Sequence, residues 1–301
     1  MEPGLPDYSI VVPVYNSGSG LLRLVREFEK HFIRNNMRAE LILVDDGSDA
    51  ATRQLAGQLA REKAYVTTIL LQRNYGQLAA TTCGIRYARG QIILTLDDDL
   101  QYPMEEALKL IDYFQHSGKQ IVFGYPRKRK HPMGYRLLAF LFITVFDYLV
   151  LPRYRHIHFY TSFRIFRRSF FFDIQNRFTS RHLLYFWEIP PEAMDSVAVA
   201  HEARQAGASN YNLTRIIRHL QPPLLLAASR LCLLLSATLL LPLPLFFVWV
   251  QTGWLLAVAG LGLFCIFASM TAQRLLRNGK QIHYTIDQVI TCSPYPIQRA
   301  P

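Results

Sequence analysis

Short apolar runs alternate with amphipathic stretches through residues 1–125. "YSIVVPVY" (Tyr8 to Tyr15) predicts a buried strand running into Asn16 and Gly18. "LLRLVREFEKHFIRN" (Leu21 to Asn35) has helical spacing, and "AELILVDDGS" is a second strand ending at Asp45 and Asp46. "ATRQLAGQLAREKA" predicts a helix, "VTTILLQRN" a strand and "QLAATTCGIRYARG" a helix stopped by Gly90. "QIILTLDDD" is the fourth strand, followed by a helix entered through Pro103 with two acids in its first turn. "QIVFGYP" closes the series. Repeated strand–helix units predict an α/β domain with a mostly parallel central sheet covered on both faces. Polar residues sit just past successive strand ends, at Asn16, Asp45, Asp46, Asn74 and Asp97 to Asp99. In an open α/β sheet, that edge is where ligands bind.

The pattern is less regular from 126 to 222. "RKRKHPMGYR" carries six basic or potentially basic residues, counting His131, and "LLAFLFITVFDYLV" follows it. That second run is short and broken by Asp147, so it reads as an interfacial or buried helix rather than a span. "YTSFRIFRRSFFF" resembles a strand and turn returning to the sheet. Leu231 to Val250 and Gly253 to Ala272 are two uncharged runs of 20 residues, separated by Gln251 and Thr252. Each is long enough to cross a hydrocarbon core of about 30 Å. Arg215, Arg218 and Arg230 precede the pair, and Arg274, Arg277 and Lys280 follow it. Basic flanks on both outer sides predict a hairpin whose two ends lie in the cytoplasm.

Composition sharpens this picture in three ways. Thirty-three Lys and Arg against 22 acids give a formal charge of +11. Such an excess suits nucleic acid, anionic lipid headgroups or phosphorylated substrates. The greasy C-terminal quarter favours the lipid and phosphate readings over nucleic acid. Two of the four cysteines, Cys232 and Cys265, lie in apolar runs, and no metal-type or disulfide spacing appears. The N-terminus "MEPGLPDYSIVVPVYN" lacks the basic and apolar regions of a secretory signal.

The run "ILTLDDDLQYP" asks why three carboxylates follow one another directly. By the strand period Asp97 and Asp99 point one way and Asp98 the other. Two carboxylates on one face repel, and one tends to take up a proton. A divalent cation removes that conflict, and Mg²⁺ is commonly held by one or two carboxylates plus substrate phosphates. Acidic strand ends also serve as turns and helix caps. The chain has neither the glycine-rich, lysine-bearing loop of a nucleotide-triphosphate site nor G-x-G-x-x-G after the first strand.

Four stretches, "SIVVPVYN", "LILVDDGSDAT", "NYGQLAATTCGIRYARG" and "LTLDDDLQYP", together resemble the family 2 glycosyltransferases with the GT-A fold. "SFRIFRR" and "HEARQAGASNYNLTRIIRHL", followed by two spans, resemble the branch that acts on polyprenyl phosphates. The resemblance implies a sugar transferred from a nucleoside diphosphate donor, UDP first, to a polyprenyl phosphate such as undecaprenyl phosphate. It implies that Pro13, Tyr15, Asn16 and the run Asp45, Asp46, Gly47 and Ser48 hold the nucleoside, with Asp45 as the base contact. Asn74, Gly76 and Asp98 fall near the nucleotide. Asp97 and Asp99 meet Mg²⁺ or Mn²⁺, Gln101 orients the donor sugar, and Arg127, Arg129 and Arg164 grip the lipid phosphate or donor diphosphate. Two features depart from the family pattern: Ser17 stands where glutamate is frequent, and Thr161 and Ser162 stand where an acid and glycine are frequent.

The expected organisation is a GT-A catalytic domain over 1–222, with interfacial segments near 133–151 and 204–222. Two transmembrane helices over 223–275 and a cytoplasmic tail over 276–301 complete it. The basic amphipathic segment Arg204 to Leu220 is expected to meet anionic membrane lipids. The protein is then an integral membrane enzyme, in the inner membrane if bacterial, with its catalytic domain in the cytoplasm. Homo-oligomers are compatible with this arrangement. The competing readings are a polysaccharide synthase-type transferase and a non-catalytic membrane scaffold.

Overall fold

The computed structural model describes residues 5–127, 157, 161–177, 189–202, 263–267, 270 and 284–292, with side chains omitted for 174–177. The chain divides into two compact units. One comprises Met1–Lys130, His156–Gly207 and Gln281–Pro301; the other comprises His131–Arg155 and Ala208–Lys280.

In the first unit, strands β1 (Tyr8–Val14), β2 (Ala39–Asp45), β3 (Val66–Leu71), β4 (Ile92–Thr95) and β5 (Ile121–Pro126) alternate with helices. Those helices are α1 (Gly20–Phe28), α2 (Ala50–Glu62), α3 (Gln77–Tyr87) and α4 (Met104–Ser117). The chain then adds β6 (Arg164–Arg167), α5 (Arg168–Arg177), β7 (Met194–Val199) and β8 (Ile286–Thr291). They form one eight-stranded sheet in the order β7-β5-β6-β4-β1-β2-β3-β8. Only β6, between β4 and β5, and β8, beside β3, run antiparallel. The sheet is therefore mostly parallel, as the strand–helix alternation predicts.

Central strands of such a sheet are buried on both faces, which is why β1 and β2 read as continuous apolar runs. Ile10, Val12, Leu41 and Leu43 join the core formed with Leu21, Leu24 and Phe28 of α1 and with Leu110 and Phe114 of α4. Their neighbours Val11, Ile42 and Val44 meet α3 at Gly84. A Cβ there would lie 2.4 Å from Val11 and 2.9 Å from Val44, so only glycine lets this helix sit so near the sheet. After α1 the chain widens into a π-helical turn, Glu29–Ile33, which buries Phe32 against Phe28 at a centroid distance of 5.0 Å.

Three features differ from the sequence reading. β4 stops at Thr95, so Asp97 to Asp99 lie in the turn beyond it rather than on the strand. The segment after "SFRIFRR" continues as helix α5 instead of a turn. β7 was not expected, and neither was β8, which falls within the stretch read as a tail and covers the edge of β3.

Of the two long apolar runs, only residues 263–267 and 270 are described, and they are helical. Leu263, Phe264, Phe267 and Met270 are each more than 60 % exposed. Among the described residues no helix is long and apolar enough to cross a membrane. The remainder of both runs and the two interfacial segments, 133–151 and 204–222, lie outside the described residues.

Candidate functional site

The parallel strands β4, β1, β2 and β3 are neighbours, so their C-terminal ends open onto one edge. The order reverses on either side of β1, and loops diverging at such a point leave a crevice. Four polar segments meet there: Tyr15 to Gly18 after β1, Asp45 to Asp49 after β2, Arg73 to Gly76 after β3, and Asp97 to Gln101 after β4.

The first two segments are laced together. Asn16, at φ 54°, donates its backbone N–H to Ser48 Oγ at 2.9 Å and accepts the Asp49 N–H on Oδ1 at 2.8 Å. Asp49 then caps α2 by accepting the Thr52 N–H at 2.8 Å. Pro13, on β1, is half-buried, and Tyr15 is exposed.

Asp45 and Asp46 turn inward. Asp45 has no exposed surface; its carboxylate accepts from Arg53 Nη1 at 3.1 Å and from the Ser48 N–H at 3.3 Å. Burial pushes its pKa up, and Ser48 and Arg53 pull against that. The expected base contact is thus engaged inside the domain. Asp46 is also buried, and burial raises its pKa too. Its two oxygens accept the N–H groups of Tyr75 and Gly76 at 2.7 and 2.8 Å. Those bonds fix the loop that carries Asn74, which is exposed, and start α3 at Gly76, whose φ is 94°. Gly47, at φ 73°, lies directly against the same loop.

The three aspartates diverge to different partners. Asp97 accepts from Gln77 Nε2 on one oxygen and from Ser162 Oγ at 2.7 Å on the other. Asp98 accepts from Ser17 Oγ. Asp99 accepts the Gln101 N–H at 3.1 Å, closing a local turn in which Leu100 has φ 52°. Strand alternation therefore does not sort these side chains, because the strand ends before them. The loops around the turn sort them instead.

β6 completes this side of the site. Its register pairs Thr95 with Arg164 and brings Ser162 and Arg164 to the end of β4. Arg164 is buried beside Asp97. Burial lowers its pKa to about 10, with Asp97 opposing that fall. The Asp97 pKa rises to about 6, chiefly through burial, with Asp99 and Asp98 adding to it. Ser162 and Arg164 act in the opposite direction. Gln101 offers its carbonyl to the Glu202 N–H at 2.8 Å, and Tyr102 stacks on Phe163 at 4.6 Å. Arg127 is exposed at the end of β5, where its N–H reaches the Val199 carbonyl at 3.1 Å. Arg129 lies outside the described residues.

The donor set at the turn is hard oxygen, and a carboxyl driven to about 6 by burial and like charge is one that a cation would relieve. Among the described residues no group of three or more His, Cys, Asp and Glu side chains gathers as a metal site. From the described residues a cation here would take two carboxylates at most, leaving its other positions for phosphate oxygens and water. That matches the sparse protein ligation of Mg²⁺ in phosphate chemistry.

Sequence reasoning brought Asn16, Ser48, Asn74 and the aspartate turn to one edge. It missed Gln77 and Arg53. It named Ser17 and Ser162 only as departures, whereas both hydroxyls hold an aspartate of the turn.

Residues 9–175 match the profile described as Glycosyl transferase family 2. The dodecaprenyl-phosphate galacturonate synthase of Rhizobium johnstonii is 29 % identical over 218 residues, covering 70 % of this chain and 64 % of that protein. The undecaprenyl-phosphate 4-deoxy-4-formamido-L-arabinose transferase of Klebsiella pneumoniae is 32 % identical over 228 residues, covering 71 % and 65 %. The chain spans a little under two-thirds of the length of these curated relatives. Mannosyl-3-phosphoglycerate synthase from Rubrobacter xylanophilus superposes with a TM-score of 0.53 at 16 % identity, over 76 % of this chain and 75 % of that one. A mannosyltransferase from Pyrobaculum calidifontis, in complex with GDP-Man and Mn²⁺, gives 0.50 at 14 % identity, over 93 % and 78 %. At these identities the structural likeness establishes the α/β GT-A fold alone.

Proposed function

The chain belongs to glycosyl transferase family 2, and on that premise we propose that it transfers a sugar from a nucleoside diphosphate donor to a polyprenyl phosphate. The observation that carries this reading is the convergence of the Asp97–Asp99 turn with exposed Asn16 and Asn74 at the switch point of the sheet. A UDP-sugar is the first donor to test and undecaprenyl phosphate the first acceptor. The polyprenyl phosphates in the names of the two relatives support the acceptor class.

Asn16, Ser48 and Asn74 meet the nucleoside, with Pro13, Tyr15, Gly47 and Gly76 shaping the pocket. Asp45 and Asp46 hold that frame from below. Asp97 and Asp99 hold Mg²⁺ or Mn²⁺, while Ser17 holds Asp98. When bound, the cation supplies charge neutralisation for the departing diphosphate. Arg164 balances the aspartates from the buried side, and Gln101 orients the donor sugar. Arg127 and Arg129 meet phosphate.

A phosphate monoester is already largely ionised at neutral pH, so it can attack the anomeric carbon without a base to remove a proton. Thr161 and Ser162, where an acid and glycine are frequent, are compatible with that route. The remaining task is alignment of two bound reactants.

The acceptor places the reaction at a bilayer. β7 and β8 share one sheet, so Val199 and Ile286 lie on the same side of any membrane. The chain between them must therefore cross an even number of times. Two uncharged 20-residue runs with basic outer flanks meet that requirement. The exposed apolar side chains at 263, 264, 267 and 270 suit lipid contact. We place the catalytic domain on the cytoplasmic face, with the segments near 133–151 and 204–222 against anionic headgroups.

The test is a panel of UDP- and GDP-sugars incubated with the full-length protein, undecaprenyl phosphate and Mn²⁺, followed by mass analysis of the extracted lipid. A glycosylated polyprenyl phosphate from one donor is the expected result. Donor hydrolysis alone, or no binding of either nucleotide, would overturn the reading.

A further inference from the structure

We infer that β8, with Thr285 just before it, is a working part of the donor pocket, in which Asp287 and Thr285 are positioning residues for the Asp45–Asp46 pair. The inference rests on reading this strand-end cleft as the nucleotide site.

Two side-chain routes run from the C-terminal strand to adjacent aspartates. In the first, Arg53 spans three groups. Its Nη1 donates to Asp45 at 3.1 Å and to the Leu71 carbonyl at 2.8 Å, and its Nη2 donates to Asp287 at 2.7 Å. A guanidinium is a rigid planar fork, so anchoring one nitrogen aims the other. Asp45 is fully buried, whereas Asp287 is about half-exposed. The exposed carboxylate thus orients the cation that pairs with the buried one.

In the second route, the Thr285 carbonyl accepts the Gln72 N–H at 3.0 Å, and its side chain is hydrogen-bonded to the Tyr75 side chain. The Arg73 guanidinium lies 5.2 Å from the centre of the Tyr75 ring. The Tyr75 N–H in turn rests on Asp46. The loop bearing Asn74 is therefore held by Asp46 on one side and by Thr285 on the other.

Covering the edge of β3 would explain the backbone ladder of β8. It does not explain why both side-chain routes end on neighbouring aspartates of β2 and its loop. Asp45 and Asp287 are linked only through the fold, since the membrane-type runs lie between them in sequence.

The experiment measures UDP and GDP dissociation constants by calorimetry on the full-length protein with Mn²⁺, alongside thermal melting. Asp287→Ala should bind the preferred nucleotide about tenfold more weakly, the effect of losing a charge-assisted hydrogen bond. Asp287→Glu should recover part of that loss. Gln288→Ala, at an exposed neighbour on the same strand, should bind like the wild type. In an Arg53→Ala background, Asp287→Ala should add nothing further, because its effect passes through Arg53. If Asp287→Ala fails to fold, the isosteric Asp287→Asn carries the same comparison.

Unchanged affinity in Asp287→Ala with a binding-competent wild type would overturn the inference and leave the donor site standing. Losses that add to those of Arg53→Ala, or that Gln288→Ala reproduces, would also overturn it. A wild type that binds neither UDP nor GDP would overturn the donor site itself, and the inference with it.

Discussion

Replacing Gly47 by alanine perturbs the nucleotide loop at one atom. The residue has φ 73°, and its Cβ would lie 2.5 Å from both Arg73 C and Asn74 N. Ordinary contact begins near 3.4 Å, so the Arg73–Asn74 backbone must retreat by about 0.9 Å. Asp46 holds that loop through the Tyr75 and Gly76 N–H groups at 2.7 and 2.8 Å. A retreat of that size away from Asp46 would take the two bonds to about 3.6 and 3.7 Å, beyond useful hydrogen-bond length. Hydrogen bonds to a charged group contribute about 1.5–3 kcal/mol each. The left-handed backbone costs a non-glycine residue about 1–2 kcal/mol more. The sum is about 4 kcal/mol or greater where the loop does not relax by another route. Gly118→Ala separates the two contributions. Gly118 also has positive φ, at 66°, but nothing lies within 4 Å of its Cβ position, so only the backbone cost of about 1–2 kcal/mol applies. Urea unfolding followed by circular dichroism on the full-length protein, with UDP titration of each variant, tests this. Gly47→Ala should lose at least about 2 kcal/mol more stability than Gly118→Ala and bind UDP more weakly. Equal losses, with unchanged UDP affinity in Gly47→Ala, would refute the idea that close approach at Gly47 sets the loop.

Other predictions concern the turn, the far end of the sheet and the topology. Asp99→Asn should keep its melting temperature, lose Mn²⁺ binding by paramagnetic resonance and lose turnover by about a hundredfold or more; normal turnover in metal-controlled assays would remove it from the site. Chelation by EDTA should stop turnover, and added Mg²⁺ or Mn²⁺ should restore it; activity that survives metal-free conditions counts against the cation. Glu40 is buried away from the site and accepts from Ser9 Oγ at 2.6 Å and from the Arg89 N–H and Nε at 2.7 and 2.8 Å. Glu40→Ala leaves Arg89 without its carboxylate and should cost about 3–5 kcal/mol in urea unfolding while the donor KM stays unchanged. Cys292 is exposed just after β8, so an impermeant maleimide should label it in the same vesicle orientation as a Lys119→Cys marker on the catalytic domain. Labelling in the opposite orientation would break the even-crossing topology.

The first five strands and four helices were legible because each is a local pattern. An apolar run or a 3.6-residue stripe needs no distant partner to be recognised. The same holds for the polar strand ends: once parallel strands alternate with helices, Asn16, Asp45, Asn74 and Asp97 must share an edge. Longer-range features were decided only by folding. β6 carries the apolar pair Ile165 and Phe166, yet its antiparallel place between β4 and β5 depends on pairing across more than sixty residues. β8 reads "IDQVIT", a short mixed stretch whose role comes from β3, over two hundred positions away. The partners of the aspartate turn belong to the same class. Ser17, Gln77 and Ser162 become its donors because segments from three elements close around a strand that ends at Thr95, short of the aspartates. Periodicity is a property of neighbours in the chain. Charge pairing inside a domain is a property of neighbours in space, and for Asp45, Arg53 and Asp287 the tertiary structure alone supplies that proximity.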